Sequence, residues 1–257
     1  MELERRREGG VEILTLNRPE QRNALNPELI AQLSAALADA RSDDGVRVVV
    51  LTGAGDRAFC AGMDLKAFAA QGTGAPLRDL EKTADFTALQ RGEFPKPVVG
   101  AINGTAVAGG LELLMACDLA VAAEHAKLGI PEVKRGLFAA GGGVTLPARV
   151  PLAVALELGL TGDFIDAHRA LELGLVNRVR PAQEVLPCAL ELADRIAANG
   201  PLAVDATKAI MRAVAQRGVQ ASYKMIDGLR AQVFTSEDAL EGARAFGEKR
   251  PPRWQGR

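Results

Sequence analysis

Two stretches limit what this chain can become. Residues 46–52 (VRVVVLT) form an almost unbroken run of β-branched and aliphatic side chains, and residues 97–103 (PVVGAIN) repeat the form. A strand with one face in water alternates apolar and polar residues. A continuous apolar run instead belongs to a strand covered on both faces, and that covering is most simply supplied by helices on a parallel sheet. Gly53-Ala54-Gly55 turns the chain out of the first run and Gly104 out of the second. The pair therefore predicts an α/β fold with largely parallel strands.

The intervening patterns agree. Residues 11–16 (VEILTL) read as a strand stopped by Asn17-Arg18-Pro19. Asn26 then has the chemistry of an N-cap with Pro27 at the first helical position, and Leu29, Ile30, Leu33, Ala36, Leu37 and Ala40 give one apolar helical face. Residues 111–117 read as a helix and 118–123 (DLAVAA) as a further strand, so the strands make a degenerate supersecondary repeat. Beyond Pro151 the strand signals fade. Residues 166–174, 185–199, 201–216 and 222–234 read as helices, and a last helix with Thr235 as N-cap runs to Lys249 ahead of Pro251-Pro252. The expected organisation is a core over residues 1–195 and a C-terminal helical region over 196–257, whose apolar faces point to assembly.

Of the 257 residues 48% are hydrophobic, enough to build a sizeable core. The 31 basic and 32 acidic residues are interleaved, so no strong field draws in a nucleic acid or an anionic membrane. The apolar tract 97–123 contains Asn103, Thr105, Glu112 and Asp118 and reads as buried core, not as a membrane span. No apolar h-region follows Met1, and Cys60, Cys117 and Cys188 are odd in number and widely spaced, which predicts a reducing, cytoplasmic setting. His125 and His168 are too few for a His-rich zinc site and read as surface or locally satisfied residues; Cys60 reads as a small core filler. Trp254 either docks the tail or lies free.

Several common chemistries lack their motifs. The third glycine of a dinucleotide fingerprint begun at Gly53 falls on Ala58, and neither a phosphate-binding P-loop nor a Gly-x-Ser-x-Gly nucleophile elbow occurs. What stands out is acid in apolar surroundings. Glu112 follows Ala108-Gly109-Gly110 at the start of a buried-looking helix, where it serves either as a catalytic carboxylate or as a cap satisfied by backbone. Glu132, in the turn Gly129-Ile130-Pro131-Glu132, is either a second such group or an exposed loop acid.

Taken in order, residues 58–65 (AFCAGMDL), 97–113 (PVVGAINGTAVAGGLEL), Cys117-Asp118 and 129–132 (GIPE) resemble the enoyl-CoA hydratase/isomerase (crotonase) superfamily. Asn17-Arg18-Pro19, Asn23-Ala24-Leu25, Leu160-Thr161-Gly162, Gly174-Leu175-Val176 and residues 245–250 (AFGEKR) extend the resemblance over nearly the whole chain. It implies a crotonase-like spiral of ββα units, C-terminal helices that build a homotrimer or a dimer of trimers, and an acyl-CoA thioester as substrate.

By motif, the backbone N–H groups of Met63 and Gly109 become the oxyanion hole, and Glu112 and Glu132, twenty residues apart, take the positions of paired catalytic glutamates. Ala61 matches the contact to the adenine ring, Arg22 and Lys249 the CoA phosphates, and Phe138 adds an apolar wall. Ala24, Asp64 and Gly110 complete the substrate-binding set. The implied reaction is hydration of a trans-2-enoyl-CoA, with no metal or redox cofactor and coenzyme A entering as part of the substrate. A Δ3-Δ2 enoyl-CoA isomerase using Glu132 alone, and a non-catalytic acyl-CoA-binding or scaffold protein, are the alternatives. One departure concerns the acyl end: residues 136–143 (GLFAAGGG) lack the proline of the family's Gly-x-x-Pro-Gly turn.

Overall fold

The computed structural model describes residues 1–65, 67 and 83–257. The two apolar runs become neighbouring parallel strands in the middle of a six-stranded sheet. Its members are β1 (Leu3–Glu8), β2 (Val11–Leu16), β3 (Val48–Gly53), β5 (Val98–Ile102), β7 (Leu119–Ala123) and β10 (Arg178–Arg180), in the spatial order β1-β2-β3-β5-β7-β10. Val49 faces Val98 and Val50 faces Val99, and every residue of β3 and β5 is buried. The amphipathic helix Ala182–Ala197 lies across β3, β5 and β7, which accounts for one covered face.

A second sheet, in the order β4-β6-β8-β9, comprises β4 (Ala58–Cys60), β6 (Thr105–Val107), β8 (Lys127–Gly129) and β9 (Ile165–Asp166). The chain lays a strand in the large sheet and the next in the small one three times over, as β3/β4, β5/β6 and β7/β8. This is the expected spiral, and it carries the ends of β4, β6 and β8 to one place. Between β6 and β7 runs the helix Gly109–Ala116, in which residues 110–116 are all buried and Glu112 is the one charged member.

Asn26 caps the helix Pro27–Ser42 as its chemistry requires, with Oδ1 accepting from Leu29 N at 2.8 Å. At the last helix, Glu237–Gly247, the expected cap at Thr235 is displaced by one residue: Ser236 Oγ accepts from Ala239 N at 3.1 Å. The same three-residue reach is open to either hydroxyl, and the Ser236 backbone is the one in the extended conformation a cap needs. β1 has no apolar periodicity because it is an edge strand: all of LERRRE except Leu3 is exposed, and its charges discourage further pairing. The helix Leu152–Thr161, opened by Pro151, is a further element beyond the sequence reading.

The boundary expected at residue 195 falls inside the last turn of the helix Ala182–Ala197. Beyond it come Pro201–Arg217, Val219–Phe234 and Glu237–Gly247. Trp254 docks the chain end on this region: its Nε1 donates to Ala198 O at 2.8 Å, and its ring lies over Gly200 and Gly242. Among the described residues no helix is long and apolar enough to cross a membrane.

Asp118 joins the helical region to the sheets. It accepts from Val98 N at 2.8 Å, from Lys208 Nζ at 2.7 Å, and from Arg212 Nε and Nη2 at 3.1 and 2.9 Å. Asp118→Ala removes the shared acceptor of two cations held in partly buried positions, so unfolding in denaturant should show a loss of about 2–4 kcal/mol. An unchanged midpoint would contradict this role.

Candidate active site

Two segments distant in sequence run side by side at the exit of β4. Ala61 N donates to Arg22 O at 3.0 Å, Leu25 N to Gly62 O at 2.7 Å, and Asp64 N to Leu25 O at 2.9 Å. This is a parallel bridge between Leu25 and Met63. In such a bridge both polar groups of Leu25 are used on residues 62 and 64, so the N–H of Met63 points away from the pairing. It has no acceptor among the described residues.

The helix Gly109–Ala116 starts against this segment. Ala108, with φ +53°, turns the chain while its own N–H donates to Gly129 O at 2.9 Å. Gly109 is the first helical residue, so its N–H is among those that no helical carbonyl can reach. A methyl on Gly62, which holds φ +86°, would sit 2.9 Å from Gly109 N, and one on Gly109 would sit 3.4 Å from Gly62 Cα. At position 62 only glycine permits this approach, which brings the Met63 segment against the first residue of the helix, where negative charge is favoured.

Glu112 lies one turn into this helix and is 6% exposed. Its Oε1 accepts from Gly141 N and Gly143 N, both at 2.9 Å. The run 141–143 therefore wraps the carboxylate with backbone, and a methyl on Gly141 would strike Glu112 Oε2 and lie 3.0 Å from Gln90 Nε2. With Oε1 occupied twice, Oε2 is the oxygen left to handle a proton.

Glu132 is in the 3-10 turn Pro131–Arg135. It is half-buried, and its Oε2 is buried without a hydrogen-bond partner among the described residues. Burial pushes its pKa above the ordinary carboxyl value; its own backbone amide opposes this, and the charge of Glu112 adds to the rise. The charge of Glu112 thus reaches Glu132.

The remaining predicted site residues divide by location. Arg22, exposed with φ +51°, and Ala24, Ala61 and Asp64 all belong to the paired segments beside Met63. Asp64 is engaged within the protein: Oδ2 accepts from Arg18 Nη2 at 3.0 Å and Oδ1 from Ala67 N at 3.2 Å. Gly110 packs against the carbonyl of Cys60, so its missing side chain makes room for β4. Phe138 lies in the loop between Glu132 and Gly141 with its side chain largely in solvent, 70% exposed. Lys249 is exposed after the last helix, with φ +53°, in the region docked by Trp254. Cys60 is fully buried and its thiol is pushed up to about 12, chiefly by burial, which suits a filler and not a nucleophile. His125 is a surface residue whose Nε2 lies 2.8 Å from Asp56 O.

Sequence reasoning assigns no role to Asn23, Gly141 or Gly143. Asn23 is fully buried and braces three backbone groups: its Oδ1 accepts from Arg18 N, and its Nδ2 donates to Ala54 O and Ala58 O. Its place in the Asn23-Ala24-Leu25 motif was the available signal. The two glycines act through N–H groups that every residue but proline possesses, so only the glycine run itself could have marked them.

Among the described residues no group of three His, Cys, Asp or Glu side chains could hold a metal ion. Two outcomes follow from the acid pair. Gly141→Ala should displace Glu112 and lower turnover by about 10-fold or more, measured against an unchanged fold by circular dichroism. Because the folded pKa of Glu132 is raised, its stabilising contribution is complete below the unfolded carboxyl range and is lost as pH rises through the folded value. Glu132→Gln should therefore raise the melting temperature relative to the parent protein at pH 7–8, and the gain should vanish near pH 4. A gain independent of pH would refute the assigned ionisation.

A family model described as enoyl-CoA hydratase/isomerase matches residues 6–257. Over 254 aligned residues the chain is 42% identical to enoyl-CoA hydratase EchA19 of Mycobacterium tuberculosis, covering 98% of this chain and 95% of that protein. It is 41% identical over 254 residues to a carnitinyl-CoA dehydratase of Proteus mirabilis, covering 97% and 96%. In three dimensions it matches the crystal structure of enoyl-CoA hydratase EchA1 from Mycobacterium marinum with a TM-score of 0.90, 44% identity and coverage of 100% and 99%. A second crystal structure, of an enoyl-CoA hydratase from Mycobacterium tuberculosis, gives 0.88 at 45% identity, with coverage of 100% and 99%. With its two-sheet spiral, its motifs and these relatives in agreement, the chain belongs to the enoyl-CoA hydratase/isomerase family.

Proposed function

We propose that the protein adds water reversibly across the double bond of a trans-2-enoyl-CoA to give a 3-hydroxyacyl-CoA. The observation that supports the reading is that one helix carries both the N–H of its first residue, Gly109, and Glu112, whose charge acts on Glu132, while the neighbouring Met63 N–H has no acceptor among the described residues. The thioester oxygen accepts from Met63 N and Gly109 N, and these bonds strengthen as charge builds on it in the enolate. Glu112 takes a proton from a water through Oε2 while the water oxygen bonds to Cβ. Glu132, whose pKa burial raises, delivers a proton to Cα. The pair returns to its starting state by passing one proton back. Dehydration is the reverse path, and relatives named carnitinyl-CoA dehydratase support that direction for some 3-hydroxyacyl thioesters.

Neither carbon chain nor water changes its net redox state, so the step calls for no redox cofactor, and coenzyme A arrives with the substrate. The Ala61 backbone receives the adenine, with Ala24 in the paired segment beside it. Arg22 and Lys249 pair with CoA phosphates, and Phe138 bounds the acyl end. The helical region assembles the chain into a homotrimer or a dimer of trimers. Met211, Phe234, Leu240 and Phe246, each at least 65% exposed, supply apolar surface for it. Three buried free thiols accord with a cytoplasmic setting.

Glu112→Gln and Glu132→Gln should each lower hydration by about 10²–10⁴-fold, followed as loss of the conjugated enoyl absorbance over a panel of enoyl-CoAs. Hydration consumes the conjugated bond, isomerisation creates one, and a binding protein changes nothing. Retention of the parent rate in either variant would remove the paired-acid mechanism, and activity lost in Glu132→Gln alone would favour the isomerase.

A further inference from the structure

Arg18 belongs to the Asn17-Arg18-Pro19 motif, has no part in the chemistry above, and yet is one of the best-tethered side chains of the site. Its guanidinium is 12% exposed and reaches three partners in three directions. Nη1 donates to Ala24 O at 2.6 Å, Nη2 to Asp64 Oδ2 at 3.0 Å, and Nε lies 3.1 Å from Glu2 Oε1. Ala24 immediately precedes Leu25, and Asp64 immediately follows Met63. The guanidinium therefore straddles the Leu25–Met63 bridge from one strand to the other. That bridge is short, resting on Leu25 N to Gly62 O and Asp64 N to Leu25 O, and it turns the Met63 N–H away from the pairing.

We propose that Arg18 is a positioning residue for the Met63 oxyanion donor. By holding Ala24 O and Asp64 at a set separation it keeps the two segments in register, and Asp64 passes the constraint on through Ala67 N. The proposal rests on the hydratase reading. A planar guanidinium can serve several acceptors at fixed angles, whereas a lysine ammonium offers one compact charge without that geometry. Donor alignment is what such a site is sensitive to, since a misplacement of about 1 Å can cost on the order of 100-fold in rate.

The test uses the full chain with Arg18→Lys and Asp64→Asn, and with Glu2→Gln as a control on the arm outside the bridge, whose Glu2 oxygen Arg18 shares with Asn26 Nδ2. Two quantities are read: kcat and KM for hydration, and the red shift of a slowly turned-over aryl-conjugated enoyl-CoA on binding, which reports polarisation of the thioester carbonyl. Arg18→Lys and Asp64→Asn should lower kcat about 10- to 100-fold with KM within about threefold, and should diminish the red shift while the ligand still binds. Glu2→Gln should leave both near the parent values. A full red shift and parent kcat in Arg18→Lys, or an equal loss in Glu2→Gln, would overturn the proposal. If Arg18→Lys does not fold, Asp64→Asn decides by the same criteria. Absence of both hydration and red shift in the parent protein would overturn the hydratase reading and the proposal with it, which separates that failure from the proposal's own.

Discussion

The site depends on the contact between Gly62 and Gly109. One residue leaves the small sheet after β4, the other opens the helix after β6, and the space between their backbones admits no side chain on Gly62. Because the contact is backbone on backbone, it brings together what side chains would otherwise keep apart: two N–H groups with no acceptor among the described residues. From there the direction of the helix Gly109–Ala116 is settled, and Glu112 must appear one turn later on its buried course. The spiral of strands exists, in functional terms, to bring β4, β6 and β8 to the same end.

The acids show how one fold gives two carboxyl groups different characters. Glu112 is nearly excluded from water but receives two amides on a single oxygen, so its charge is compensated where it sits. Glu132 has an oxygen that is buried and without a hydrogen-bond partner among the described residues, and the neighbouring charge works against its ionisation. An oxygen left in that condition is costly for folding. The same condition raises the pKa of Glu132 above that of an ordinary glutamate.

Much of the large sheet was legible in the chain. VRVVVLT and PVVGAIN declare strands covered on both faces, and Asn26-Pro27 opens a helix, because burial and capping act over a few residues. β1 was not legible, since an exposed edge strand has no reason to carry apolar periodicity. Nor were the three-residue strands of the small sheet, which are too short to establish any period. At the last helix the hydroxyls of Thr235 and Ser236 are equivalent as letters, and the backbone selects between them. Motif resemblance pointed to Met63, Gly109, Glu112 and Glu132 as candidates, but it left Asn23 without a role despite its complete burial and its bonds to three backbone groups.

By itself the sequence determined the α/β class, the buried strands, the helix start at Asn26-Pro27 and the family, all of which follow from local pattern or from ordered motifs. Tertiary structure decided which amides are left free, which oxygen of Glu112 is occupied, that Glu132 feels Glu112, and that Arg18 spans the Leu25–Met63 bridge. The physical reason is that a backbone N–H belongs to almost every residue alike. Whether it is spent in a ladder or left for a ligand depends on the partner that the fold brings beside it, and that partner lies far away in the chain.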